Sequence, residues 1–63
     1  IQYLREQQEI RSEQAGKLYV TNVNGIIVLS GENAISIQSL PTGVYIATLI
    51  TKEGKHIQLK FIK

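Results

Sequence analysis

The chain carries few side chains that could perform catalysis or hold a metal ion. It has 63 residues with a single histidine, His56, no cysteine, and no aspartate among its five acidic residues. A Ser-His-Asp triad is therefore impossible, and a zinc site normally takes three or four ligands from Cys, His, Asp or Glu. His56 follows the charged Lys55 at the start of the last predicted strand, so we expect it to face solvent. The sequence predicts no enzyme, no cofactor and no metal site.

Three glutamates near the N-terminus are the remaining candidates for acid–base chemistry. Glu6, Glu9 and Glu13 are spaced by three and four residues, so on a helix they would share one face. Acid–base work by a carboxylate pair requires a pocket or an apolar shell that keeps one of the two protonated. Apart from Ile10, the residues between and beside these glutamates are polar, so no apolar shell is expected and we interpret the three as a solvated face.

The charge distribution is mildly asymmetric. The net charge is +2, with −1 in residues 1–16 and +3 in the remainder. Nucleic-acid binding usually requires a denser basic stripe with stacking aromatics, whereas only Tyr3, Tyr19, Tyr45 and Phe61 are aromatic here. No apolar run approaches the roughly 18 residues that a membrane-spanning helix needs. We therefore expect no nucleic-acid partner and no membrane span.

From Gly16 onward, strand-forming runs alternate with turn residues. The pattern predicts strands at residues 17–23, 26–29, 34–40, 44–51 and 57–62. Asn24-Gly25 suits a two-residue hairpin turn, and Gly54 is the natural left-handed position in the loop at residues 52–55. We expect positive φ at the inter-strand glycines, which are Gly25, Gly31, Gly43 and Gly54. Strands without an intervening helix indicate an all-β antiparallel sandwich.

Residues 1–15 leave two alternatives open. Residues 5–11 have high helix propensity, but an isolated helix of this length is marginal in water. The other alternative is two short strands joined by a polar turn around Gln7 and Gln8. A sandwich needs a second layer, and these residues are the only ones left to complete it, which favours strands.

The apolar pattern predicts which residues form the core. Residues 44–51 are apolar on both faces, which is typical of a central strand covered above and below. Residues 26–29 are continuously apolar and are likewise predicted to be buried on both faces. The last strand alternates, so it has one core face. The predicted core comprises Val44, Ile46, Leu49, Ile50, Ile57, Leu59 and Phe61.

One motif spans the last third of the chain. Leu40-Pro41-x-Gly43-x-Tyr45 is followed by Gly54 and then by Lys60-Phe61-Ile62-Lys63. This arrangement resembles the C-terminal sorting domain of the type IX (Por) secretion system of Bacteroidetes. The segment Asn22-Val23-Asn24-Gly25, followed by Ile27-Val28, is similar to the mid-domain hairpin of that family. The similarity covers about residues 17–63.

The resemblance implies a fold and a function. The fold is an Ig-like β-sandwich of about six to seven strands, with residues 1–63 as one small domain at the C-terminus of a larger exported protein. The function is non-catalytic: a signal that directs export and cell-surface attachment. The implied partners are the outer-membrane secretion machinery and a surface protease, with the periplasm as the transit compartment before the cell surface or secretion. The implied recognition residues are Leu40, Pro41, Gly43, Tyr45, Gly54, Lys60, Phe61, Ile62 and Lys63.

Two questions stay open at this point. Lys60 and Lys63 are expected to point outward or to lie at the end of the strand, where a partner could read their charge. The plainer role of such lysines is to protect a sheet edge from pairing with other chains.

The alternative function is a structural or ligand-binding accessory module for carbohydrate or protein. Only Tyr3 and Tyr19 could serve as the exposed aromatics of a sugar site.

Overall fold

The computed structural model describes all 63 residues, which form strands and connecting turns without a helix. The seven strands are β1 (Gln2–Leu4), β2 (Glu9–Arg11), β3 (Gly16–Thr21), β4 (Ile27–Glu32), β5 (Ala34–Ser36), β6 (Val44–Thr51) and β7 (His56–Ile62). They form a three-stranded sheet in the order β1-β2-β5 and a four-stranded sheet in the order β4-β3-β6-β7. All pairs are antiparallel, so the predicted all-β sandwich is confirmed. No helix long and apolar enough to cross a membrane is present.

The N-terminal segment takes the strand alternative. β1 and β2 pair with Tyr3 opposite Ile10, and β2 pairs in turn with β5, with Ile10 opposite Ile35. The polar turn at residues 5–8 joins β1 to β2, and Gln8 has a positive φ of 52°. Ile10 is fully buried, and this tertiary contact outweighs the local helix propensity of the segment.

The two sheets face each other across one hydrophobic core. Its buried members are Ile10, Leu18, Val20, Ile35, Ile37, Tyr45, Ala47, Leu49 and Phe61. Leu49 and Phe61 were predicted to be core residues and lie in it, and Ile57 packs against it. The alternation predicted for Ile35 and Ile37 on one face and Ser36 and Gln38 on the other is also present, although β5 ends at Ser36 rather than Leu40.

The prediction that β6 is covered on both faces is wrong. β6 is a central strand of its sheet, but a two-layer sandwich covers only one of its faces. Tyr45, Ala47 and Leu49 lie on the buried face. The predicted core residues Val44, Ile46 and Ile50 lie half-exposed on the other face, and Leu59 of β7 is also half-exposed. The outer face of the four-stranded sheet therefore carries apolar side chains that no third layer covers.

The prediction that residues 26–29 are buried on both faces is also wrong. β4 is an edge strand that pairs only with β3, and a register shift between Val20 and Thr21 interrupts that pairing. Ile26, Ile27 and Val28 are all exposed, Ile27 to 58%. An apolar run of four residues cannot by itself distinguish a central strand from an edge strand.

Both long hairpins close with the same three-residue loop. In the β6–β7 hairpin, the Gly54 amide donates to the Thr51 carbonyl at 2.9 Å, and the Thr51 amide donates to the Lys55 carbonyl at 2.9 Å. Gly54 has φ 86°, so its predicted left-handed conformation is confirmed. This is the bulged hairpin loop in which the third loop residue is left-handed.

The β3–β4 hairpin repeats this arrangement and corrects the predicted two-residue turn. The Gly25 amide donates to the Asn22 carbonyl, and the Asn22 amide donates to the Ile26 carbonyl, both at 3.0 Å. Gly25 has φ 78°, but Asn24 does not have a positive φ.

Three of the four glycine predictions are confirmed. Gly43 has a positive φ of 159°, beside those of Gly25 and Gly54. The fourth is wrong, because Gly31 lies inside β4 without a positive φ.

Candidate functional site

Most of the predicted recognition residues gather at one end of the β6–β7 hairpin. Gly43 and Lys63 exchange both backbone hydrogen bonds, at 3.2 and 2.8 Å, and so extend the ladder beyond the Val44–Ile62 pair. Gly54 lies at the opposite end. The length of β6 separates it from the others, roughly 23 Å at about 3.3 Å per residue. Gly54 therefore serves the turn and does not join the other motif residues.

The Leu40-Pro41-x-Gly43-x-Tyr45 segment forms a corner that a tyrosine closes. The Tyr45 hydroxyl donates a hydrogen bond to the Pro41 carbonyl oxygen at 2.6 Å. The buried Tyr45 side chain thereby has a partner for its polar group. Leu40 packs against the core. A Cβ on Gly43 would lie 3.8 Å from the Tyr45 ring, an ordinary van der Waals distance. The motif thus shapes the entry into β6.

The terminal lysine is bound to the rest of the fold. Its Nζ donates to the carbonyl oxygens of Ile37, Gln38 and Leu40, at 2.7, 3.1 and 2.5 Å. These three contacts use all three ammonium donors. The expectation that the Lys63 charge is free for a partner is therefore wrong, whereas Lys60 is exposed.

Phe61 connects the C-terminal strand to the opposite sheet and to the neighbouring strand β6 of its own sheet. Its ring centroid lies 4.8 Å from that of Tyr3, on β1 of the other sheet, and 5.7 Å from that of Tyr45, on β6. Aromatic pairs at this spacing stabilise beyond the area they bury. With 4% exposure, Phe61 holds the strand in place and presents almost no surface to a partner.

The accessible side chains of the C-terminal strand are those that point to the outer face of the four-stranded sheet. Lys60 is exposed, and Ile62 is 62% exposed although it is apolar. Their register partners on β6, Ile46 and Val44, are the half-exposed apolar residues of the outer face. The strand therefore presents a positive charge within an apolar surface.

A groove of about 570 Å³ runs between β1 and β7, lined by residues 1–5 and 59–62. The rings of Tyr3 and Phe61 belong to this lining, and its two charged residues, Arg5 and Lys60, are both basic. β1 and β7 are edge strands, so each has one side without a strand partner. The groove combines an apolar floor, a basic rim and unpaired strand edges.

A second concavity, of about 500 Å³, lies around Tyr19 on the outer face of the four-stranded sheet. Lys17, Glu32 and Asn33 supply polar groups beside the half-buried Tyr19 ring. Tyr3, the other predicted sugar-site aromatic, instead packs against Phe61 with the two rings tilted by 34°. An aromatic ring beside polar partners is an arrangement that can bind a small polar ligand.

The acidic residues and the histidine do not form a reactive cluster. His56 is exposed, as predicted. Glu9 pairs with Arg11 at 3.0 Å, and Glu6, Glu9 and Glu13 lie on β2 and its flanking turns instead of on a helix face. No group of three or more His, Cys, Asp or Glu side chains is placed to hold a metal ion.

Two features of the structure have no signal in the sequence pattern. The position of Tyr3 and Arg5 across the groove from the C-terminal strand depends on how the two sheets stack. The exposure of Ile26 and Ile27 depends on β4 being an edge strand.

No protein-family model matches the chain, and comparison with curated proteins and with solved structures gives no match either. Functional inference therefore depends on the motif and on this geometry.

Proposed function

We propose that this chain is a non-catalytic C-terminal sorting domain that directs export of a larger protein and its attachment to the cell surface. One observation carries the proposal: Phe61 and Lys63 hold the C-terminal strand, while Lys60 and Ile62 stay accessible on it. The likeness of the Leu40-to-Lys63 motif to type IX sorting domains supports the choice of machinery. The partners are then the outer-membrane secretion machinery and a surface protease, and the protein passes through the periplasm.

A sorting signal of this kind has two requirements that the C-terminal strand can meet. It must stay folded during transit, which the Tyr45–Pro41 and Lys63–Ile37 hydrogen bonds favour. It must also present side chains that a receptor distinguishes from ordinary surface. An exposed isoleucine beside a lysine is such a feature, since charge guides encounter and buried apolar area supplies affinity.

The test is an export assay. The domain is fused to a periplasmic reporter in a type IX-competent host, and the reporter is located by fractionation. Lys60→Glu and Ile62→Thr should each leave the reporter in the periplasm. Lys52→Glu, a charge reversal in the exposed loop beyond β6, is the matched control and should be exported. Lys63 is left unchanged because its loss would disturb the fold itself.

The outcomes separate the role of the strand from that of the domain. Export of the folded Lys60→Glu and Ile62→Thr variants at the level of the control rejects these two residues as the signal. Failure of the intact domain to direct export rejects the sorting function and favours a structural cap.

A carbohydrate-binding accessory module is the second candidate, favoured by the concavity around Tyr19. In that case soluble β-glucan or mannan oligosaccharides should shift the NMR signals of Tyr19 and of neighbouring Lys17 and Glu32. Tyr19→Ala should abolish the shifts, while Tyr3→Phe should retain them. Absence of shifts across both oligosaccharide series rejects this candidate.

A further inference from the structure

The backbone of β7 offers unpaired hydrogen-bonding groups to the groove between β1 and β7. Gly43 and Lys63 form a hydrogen-bonded pair at one end of the β6–β7 ladder, and the Thr51 amide donates to Lys55 at the other. Hydrogen-bonded and non-hydrogen-bonded pairs alternate along an antiparallel ladder. In the β6–β7 register, the residues of this strand whose backbone groups are hydrogen-bonded to the β6 side are therefore Ile57, Leu59, Phe61 and Lys63. The N–H and C=O groups of Gln58, Lys60 and Ile62 therefore point to the free edge.

The opposite wall of the groove is also a free strand edge. β1 pairs with β2 on one side only, and the rings of Tyr3 and Phe61 lie between β1 and β7 on the core side. An extended chain laid in the groove would find backbone partners on β7 and an apolar floor beneath it. The volume of about 570 Å³ is within the usual range of ligand sites.

We propose that this groove binds an extended segment of a partner protein, with alternating apolar and acidic side chains, as an added strand on the free edge of β7. The charge of the site selects the acidic residues, because Arg5 and Lys60 lie in the lining and no acidic residue does. Strand addition draws its affinity from main-chain hydrogen bonds and its specificity from alternate side chains.

The alternation follows from the two faces of β7. Side chains of an added strand point alternately toward the core face, beside Leu59 and Phe61, and toward the outer face, beside Lys60. The core-face positions lie beside the half-buried side chains of Tyr3 and Leu59, which line the groove, so they must be apolar. The outer-face positions lie across from Lys60, where an opposite charge is favourable.

This inference rests on the proposed function for its biological role, since it names the chemistry of the partner that a sorting receptor would present. Binding can nevertheless be measured without export. The probes are two blocked peptides, acetyl-Val-Glu-Val-Glu-Val-amide and acetyl-Val-Lys-Val-Lys-Val-amide, each titrated into the isotope-labelled chain. Amide hydrogen exchange is read at Gln58, Lys60 and Ile62, with Leu59 and Phe61 as the internally bonded comparison.

We expect the glutamate peptide to slow exchange at Gln58, Lys60 and Ile62, with less protection from the lysine peptide. Lys60→Glu should weaken the glutamate peptide roughly threefold to tenfold and strengthen the lysine peptide, whereas Lys52→Glu should change neither. Lys60 makes no side-chain hydrogen bond or ion pair within the chain that the substitution would remove.

Three outcomes overturn the inference. They are unchanged exchange at all three amides, equal protection by both peptides, and concentration-dependent protection without peptide, which would assign the edge to a second copy of this chain. Export separates the two proposals. Peptide binding with normal export of Lys60→Glu rejects only the sorting role of Lys60, and lost export with unaltered peptide selectivity rejects only the acidic-peptide groove.

Discussion

The side-chain ammonium of Lys63 lies 2.7 Å from the carbonyl oxygen of Ile37, a residue 26 positions earlier in the chain. Ile37 directly follows β5 of the three-stranded sheet, whereas Lys63 directly follows β7 of the four-stranded sheet. The contact therefore joins the two layers at the end of the chain. It also supplies hydrogen-bond donors to carbonyl oxygens in a segment that leaves the sheet ladder after Ser36.

Replacing Lys63 by Met should destabilise the domain. Methionine keeps an apolar stem of similar length but removes the donors to Ile37, Gln38 and Leu40. Part-buried carbonyls then lose a charged partner, and we expect a loss of about 1–3 kcal/mol in the free energy of unfolding. Urea denaturation measures it. Lys60→Met is the control and should stay within about 0.5 kcal/mol. Equal stability of the two variants would contradict a structural role for Lys63.

Removing the Tyr45 hydroxyl should lower the free energy of unfolding by less than Lys63→Met does. Tyr45→Phe keeps the ring stacked on Phe61 but loses the hydrogen bond to Pro41. We expect a loss of about 1 kcal/mol in the free energy of unfolding, the usual net value for such a bond. Tyr19→Phe removes a hydroxyl that has no partner in the chain and should be nearly neutral. If Tyr45→Phe left the free energy of unfolding unchanged, the corner at residues 40–45 would be held by Pro41 and packing alone.

The two faces of β6 should respond differently to truncation. Leu49 is 1% exposed, so Leu49→Ala should cost about 2–5 kcal/mol. Ile46 lies on the half-exposed outer face, and Ile46→Ala should cost roughly 1–2 kcal/mol. Thermal or chemical denaturation of the two variants gives the comparison. If both substitutions cost the same, something must cover the outer face in solution, for example a second copy.

This contrast shows what local pattern can and cannot predict. The bounds of β6 follow from nearby signals, since Pro41 and Gly43 precede it and Gly54 turns the chain after it. The nearly continuous apolar run shows that both faces of β6 are apolar. Whether each face is covered depends on where the other sheet lies. The burial of Ile10 against Ile35, which decides that residues 1–15 form strands, is equally non-local.

The candidate site divides in the same way. The motif identifies Tyr45 and Gly54 from their neighbours in sequence, and Gly54 has the left-handed conformation expected of it. The acceptors of Lys63 lie 23 to 26 residues away, and they are carbonyl groups that every residue possesses. No side-chain pattern in the sequence distinguishes such acceptors. From sequence alone, a lysine at the end of a strand therefore resembles one that protects a sheet edge.

Substitutions at Gly54 should rank by how well each residue tolerates positive φ. A Cβ there would meet nothing within 4 Å, so steric contact with the rest of the fold plays no part and only the backbone angle of 86° matters. Gly54→Ala should cost about 1–2 kcal/mol in the free energy of unfolding, Gly54→Asn less, and Gly54→Val more, because a β-branched residue is least compatible with this region. Urea denaturation of the three variants gives the order. Gly25→Ala is the internal comparison, since Gly25 has φ 78° in an equally open loop and should lose a similar amount. Equal stability of the asparagine and valine variants would mean that the loop changes its conformation when Gly54 is replaced.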